Sequence, residues 1–373
     1  MSDSPELLDS ELLVGIEFAG TGVHPSSWRR DDSRAEEIFT GGYWADLVGS
    51  ADRAGADLAF LPDTFGVSAA QGDVRGRLDA VGVAARLSAV TSRIGLIPTA
   101  TVTHTEPFHV AKAIQSLDHT TRGRAGWQVA VTGAAQQAEL FGRKEVQGED
   151  SLWDEADEAT EVAVRLWDSW EDDAEIRDVA TGRFVDRDKV HYIDFIGEHF
   201  SVKGPSITPR SPQGRPPIAV SVDGDRSLAF AAARADIVRI SVPDVRAAAA
   251  RANEVRSRAG DRRPVVLLDI DVLLAPEKAV AAVDLARLEE WSGVEYRSNS
   301  ALHQGDPDSL VALLRGLRGV DGVVLRPLAL AATSDLLATR VLPALRTAPR
   351  DTAPTVRDRL GLARPASRFA TTH

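Results

Sequence analysis

The sequence predicts an α/β fold, a (β/α)8 TIM barrel, on three observations. Eight apolar runs of strand length recur along its 373 residues. Amphipathic stretches separate them: Leu152, Ala156, Ala159, Ala163, Leu166 and Trp170 recur every three or four positions and so share one helix face. The runs are continuously apolar, the mark of parallel strands covered on both faces, and eight such units favour a closed barrel over an open Rossmann sheet.

In chain order the expected strands are LLVGIEF (12–18), LAFLPD (58–63), RIGLIPTAT (93–101), AGWQVAVT (125–132), PIAVSV (217–222), DIVRISV (236–242), PVVLLDIDVLL (264–274) and GVVLRPL (322–328). Residues 171–215 break the rhythm. They are rich in charge, Gly and Pro, contain YIDFIGEHFSV as a short hairpin, and read as an insertion after the fourth unit. Residues 243–262, rich in Arg and Ala, read as a solvated helix, and residues 347–373 as a C-terminal tail wrapping the surface. Residues 1–373 thus form one barrel domain, without an internal repeat of ~20–50 residues.

Composition narrows the function. Lys and Arg number 43 against 55 Asp and Glu, a net charge of −12, which argues against nucleic acid or an anionic membrane as partner. With no cysteine, disulfides, thiolate catalysis and cysteine zinc sites are excluded. The opening MSDSPELLDSELL is acidic and unlike a signal peptide, and no apolar run approaches the ~18 residues of a membrane helix, so the expected location is cytoplasmic.

A barrel of this kind carries its active site at the carboxyl ends of the strands. Asp63, Thr99, Thr101, Gln128, Thr132 and the polar stretch after Phe18 are therefore the residues to weigh. GTGVHPSSW places His24 just past the first strand, where an imidazole can exchange protons near neutral pH; the plain alternative is a surface loop with an incidental histidine. Gly20 and Gly22 begin a G-x-G, but Pro25 occupies the third glycine position and the dinucleotide fingerprint fails. Asp63 either meets a ligand or caps the next helix, the commoner use of such a residue. In THTEPFHV, His104 is placed at the mouth, whereas His109 falls inside the helix as packing. Neither H-E-x-x-H, G-x-S-x-G nor a P-loop occurs, which leaves metal and serine hydrolases without support.

The blocks THTEPFHVAKAIQSLDHTTRGRAGWQVAVT, LWDSWEDDA and KVHYIDFIGEHFSVKGPSITPRSPQGRPPI, with HPSSW before them and VRDRLGLARPASRF after, cover nearly the whole chain. Together they resemble the flavin-dependent monooxygenases related to nitrilotriacetate and dibenzothiophene-sulfone monooxygenase, a branch of the bacterial luciferase-like superfamily. The resemblance implies reduced FMN supplied by a separate flavin reductase, O2 as co-substrate, oxygenation of a small organic substrate, and a homodimer. By position it sets Trp127 and Gln128 beside the flavin, Asp63 and Thr101 near its ring and ribityl chain, and His24 on the substrate side. His104 stands where the family has an aromatic residue and is the second catalytic candidate. It also places the substrate between the mouth and residues 171–215, and makes residues 275–310 look shortened.

The departures cluster at the cofactor phosphate. Where the family has Trp-Asn the chain has Trp127-Gln128, and where it has Arg-Tyr the chain has Leu152-Trp153. Where a Gln-Ala-Gly-x-Ser pattern holds phosphate at a helix start, the chain has Ser221, Val222, Asp223, Gly224 and Asp225. Two carboxylates there compete for a field that attracts anions. Unit charges 4 Å apart interact by about 4 kcal/mol at an effective dielectric near 20. Two readings follow: FMN is held weakly through Trp153, Ser221, the Gly224 amide and Arg226, or the chain is a flavin-free paralogue, a partner subunit or ligand-binding protein. A deazaflavin coenzyme, also phosphorylated, meets the same obstacle.

Overall fold

In a computed structural model, residues 12–66, 74, 76–346 and 353–370 are described. The acidic residues 1–11 and parts of the tail, 347–352 and 371–373, lie outside them. All eight expected runs form strands: β1 Leu13–Glu17, β2 Leu58–Leu61, β3 Gly95–Thr101, β4 Trp127–Ala130, β5 Ile218–Val222, β6 Ile237–Ile240, β7 Val265–Leu274 and β8 Gly322–Pro327. Each pairs in parallel with the next, and β1 pairs with β8, which closes the barrel.

The register decides which side chains face inward, because partners across a parallel ladder share a face. Leu13, Leu58, Ile97, Ala219, Ile237, Val265, Leu267 and Val324 form the apolar floor of the interior. Val356 and Leu360 of the tail join this cluster, so the tail plugs the N-terminal end of the barrel besides crossing the surface. One level higher the same face carries Glu17, Thr99, Gln128, Ser221, Arg239 and Asp269.

Trp127 is corrected by this alternation. Its odd position on β4 turns it outward, where it is 1% exposed and meets Trp167 edge-on at 6.1 Å. Its Nε1 donates to Ala100 O at 3.0 Å. Of the pair, Gln128 alone faces the barrel interior.

Residues 171–215 pack outside the barrel. Gln115 and His119 reach Pro209 O, and Arg210 and Arg215 pair with the buried Asp168. The hairpin expected in YIDFIGEHFSV is present as Phe195–Ile196 and Ser201–Val202, with the Glu158 carboxylate accepting from its turn amides. Phe200 at its end lies beneath Lys144 of the segment that follows β4. A second hairpin, Glu175–Asp178 with Arg183–Val185, carried no apolar signal. Residues 275–310 instead form helix Lys278–Ser292 and a ninth strand, Ala301–Gly305, paired with the upper half of β7. Helix Ala248–Ala259 is solvated on one face and buries Ala248, Ala252, Val255 and Ala259 on the other.

Candidate active site

Burying ionic groups in a barrel is costly unless each charge is paired and hydrogen-bonded. Here the pairing is nearly complete. Arg239 donates to both oxygens of Asp269 at 2.9 Å, to Glu17 Oε2 at 2.6 Å and to Gln128 Oε1 at 3.0 Å. Its guanidinium also lies 4.7 Å from the Phe60 ring centre. Gln128 passes the chain on, donating to Ser221 Oγ at 3.3 Å. On the other side Arg326 lies 3.3 Å from Glu17 Oε1 and 3.2 Å from Asp271 Oδ1, and donates to Ser300 Oγ at 2.9 Å. Tyr296 donates to Asp271 Oδ2 at 2.8 Å, and its ring lies 5.4 Å from that of His24. One polar network therefore runs across the mouth from Tyr296 to Ser221, with the His24 ring against its Tyr296 end.

Its electrostatics are uneven. Burial resists ionisation of Glu17, but Arg239 and Arg326 together outweigh it and hold its pKa below the ordinary range. Burial dominates at Asp269 and pushes its pKa up despite Arg239. Glu17 and Asp269, which share Arg239, are thus shifted in opposite directions. Burial, with the neighbouring Asp271, also pushes Tyr296 up, so it is a neutral donor.

His24 is 1% exposed, and its Nδ1 accepts from Ser26 N–H at 3.1 Å, which puts the proton of the neutral ring on Nε2. Burial lowers its pKa and Glu289 partly offsets this, so the ring is neutral at pH 7. His104 has φ +67°, a left-handed conformation costing a side chain about 1 kcal/mol. It stacks on Phe141 at 5.0 Å, and its Nδ1 is buried with no hydrogen-bond partner among the described residues. Burial and Lys144 lower its pKa, against Glu155. Gln147 Oε1 and Glu155 Oε2, on the segments after β4, are orphaned in the same way.

Of the other expected contacts, Asp63 and Trp153 already have partners within the protein. Asp63 accepts from Thr64 N–H at 2.7 Å and Ala80 N–H at 2.9 Å, tying its loop to the next helix as the capping alternative requires. Trp153 is buried against Phe230. Thr101 closes the inner face of β3 and is buried. Beside β1 and β2, Phe18, Ile38, Trp44 and Leu61, together with Thr21 and Arg77, line a recess of about 190 Å³ of mixed polarity.

Two amides just before helix Asp225–Arg234 are already engaged. Asp223 N–H and Gly224 N–H both donate to Ser227 Oγ, at 3.0 and 2.9 Å. Arg226, the cation proposed for a phosphate, pairs with Asp150 at 3.0 Å and Asp154 at 2.6 Å. A Cβ added to Gly224 would stand 3.5 Å from Glu149 Oε1, so one further carboxylate lies beside the position. The orphaned polar atoms at the β3 and β4 side fit the polar edge of a flavin ring; the helix start does not fit its phosphate.

Six members of the network carry no motif: Glu17, Arg239, Asp269, Asp271, Tyr296 and Arg326. A signal existed nonetheless, since GIEF, IVRI, LDIDV and VLRP each set a charge inside an apolar strand near the same level. Among the described residues no group of His, Asp and Glu is arranged to hold a metal, and no helix is long and apolar enough to cross a membrane.

The luciferase-like monooxygenase family model matches residues 22–310. N-acetyl-S-(2-succino)cysteine monooxygenase of Bacillus subtilis (strain 168) is 37% identical over 229 residues, 61% of this chain and 52% of that protein. Nitrilotriacetate monooxygenase component A of Aminobacter aminovorans is 35% identical over 243 residues, 62% of this chain and 54% of that protein. The chain thus spans about half the length of these curated relatives. Riboflavin lyase, crystallised with a modified FMN and riboflavin, superposes with a TM-score of 0.84 at 26% identity, covering 96% of this chain and 98% of that one. A closed barrel with its polar network at the carboxyl ends and a family match over most of its length agree: the chain belongs to the luciferase-like monooxygenase family.

Proposed function

We propose that the chain is the oxygenating component of a two-component flavin monooxygenase, receiving reduced FMN from a separate reductase and oxygenating a small organic substrate. The observation that carries this is the polar network from Tyr296 to Ser221, with His24 beside it, at the mouth of a barrel of this family. Reduced flavin supplies the electrons that activate O2. The protein's own part is to hold the ring edge through groups such as His104 and Gln128, to exclude water, and to present His24 Nε2–H to the substrate. The apolar side chains of the recess beside β1 and β2 favour a substrate with an uncharged part.

The phosphate end sets the affinity. Asp223 and Asp225 are exposed, so solvent screening reduces their repulsion well below the 4 kcal/mol contact figure. We expect weak flavin binding, strengthened by salt. In anaerobic titration with reduced FMN, the Asp223→Gly/Asp225→Ser variant should bind about tenfold more tightly at low salt and converge with the parent near 0.5 M, where the Debye length falls below ~5 Å. Unchanged affinity would remove the electrostatic account. A second reading, a flavin-free paralogue acting as partner subunit or ligand-binding protein, is favoured by the engaged Ser221 and Arg226. No binding in either redox state, by parent or variant, decides for it.

A further inference from the structure

A cleft of about 330 Å³ opens at the N-terminal end of the barrel, opposite the mouth, where β5, β6 and β7 begin. Arg215, Arg234, Arg262, Arg263, Arg357 and Arg368 line it. Four of them are paired: Arg215 with Asp168, Arg234 with Asp157 and Glu161, Arg357 with Asp236, and Arg368 with Glu161. Six guanidiniums against these four carboxylates leave two positive charges, in a chain whose net charge is −12.

The surplus falls on Arg262 and Arg263. Arg262 donates to the Ala235 carbonyl at 3.0 Å, whereas Arg263 has neither hydrogen bond nor ion pair among the described residues. A second observation points the same way. Thr160, fully buried, lines the cleft with an Oγ1 that has no hydrogen-bond partner among the described residues. A buried hydroxyl without an acceptor is unfavourable, and a phosphate oxygen is one acceptor that would relieve it.

We propose that this cleft binds a small multivalent oxyanion of the pyrophosphate class, free or as part of a nucleotide. Guanidinium forks match phosphate oxygens bidentately, and a positively lined concavity focuses the field on such a ligand. The volume lies at the lower end of small-ligand sites, and Pro216, Pro264 and Leu362 give it an apolar wall that a nucleoside can rest on. Arg357 and Arg368 come from the tail while Arg234, Arg262 and Arg263 come from the barrel, so the bound anion fastens one to the other. The site is remote from the mouth and independent of flavin binding.

The test is calorimetric titration and thermal unfolding of the flavin-free protein with pyrophosphate and with ADP, at constant ionic strength. Saturable binding with a rise in Tm is expected. The Arg262→Gln/Arg263→Gln variant should weaken it at least tenfold while keeping the unliganded Tm and the affinity for FMN, since both side chains are exposed. Tighter binding of ADP than pyrophosphate identifies a nucleotide, and equal binding the bare anion; both support the site. Absent saturation, an unaffected double variant, or an equal Tm rise with chloride at matched ionic strength overturns it.

Discussion

At the residue scale, His24 separates chemistry from scaffold. It is buried and neutral, and its ring lies beside the Tyr296 end of the network rather than near the carboxylates around helix Asp225–Arg234. His24→Ala should lower oxygenation by about 10²-fold or more, the usual worth of a proton-transferring side chain, while shifting FMN affinity only slightly. Parallel loss of both would remove the assignment. The same burial makes stability depend on pH. The folded pKa lies below the ordinary 6.5, so between the two values the unfolded chain binds more protons. Stability from this group is therefore complete above about pH 6.5 and declines as pH falls through the folded pKa. His104 and His303 shift in the same direction, so His24→Gln should reduce, without abolishing, the fall of Tm on acidification. An identical slope in the variant would contradict it.

At the element scale, the long strand β7 does two jobs. Its ten residues outrun its barrel neighbours, and the surplus length pairs with Ala301–Gly305, which brings Ser300 to Arg326 and positions the Tyr296 loop over Asp271. Its alternating Asp269 and Asp271 point inward because strand side chains repeat every two residues. Arg239 on β6 holds the opposite charge, so Arg239→Met should destabilise the fold by about 3–5 kcal/mol by leaving Asp269 without its ion pair and Glu17 with Arg326 alone. Adding Glu17→Gln and Asp269→Asn should recover much of that loss in urea unfolding. A single variant costing under about 1 kcal/mol would show the network to be energetically idle. The strands themselves were legible, since apolar runs between amphipathic stretches state their own length. The strand Ala301–Gly305 was not, because ALHQG has neither an apolar run nor alternation and is held by its neighbour.

At the scale of the whole molecule, the tail completes the barrel. Leu360 and Val356 close its floor, Val356 N–H donates to Gly123 O at 2.9 Å, and Arg357 reaches Asp236 at 2.8 Å. Leu360→Ala should cost about 2 kcal/mol, the low end for a buried leucine since Leu360 sits at the rim, read as a lower urea midpoint with unchanged slope. A cost near zero would mean the tail only covers the surface. The sequence by itself determined the barrel, its eight strands and the family, because periodicity and long ordered blocks are properties of the chain read in line. It also located His24, Gln128, Ser221 and the acidic helix start at strand ends. Only the tertiary structure decided what those residues do. Closure brings Glu17, Arg239, Asp269 and Arg326, as many as 309 positions apart, to one level of one interior, and a charge there is stable only beside its partner. The same closure turned Trp127 away, gave Asp63 two backbone amides and set six arginines around a cleft at the far end, since contacts between distant segments have no signature along the chain.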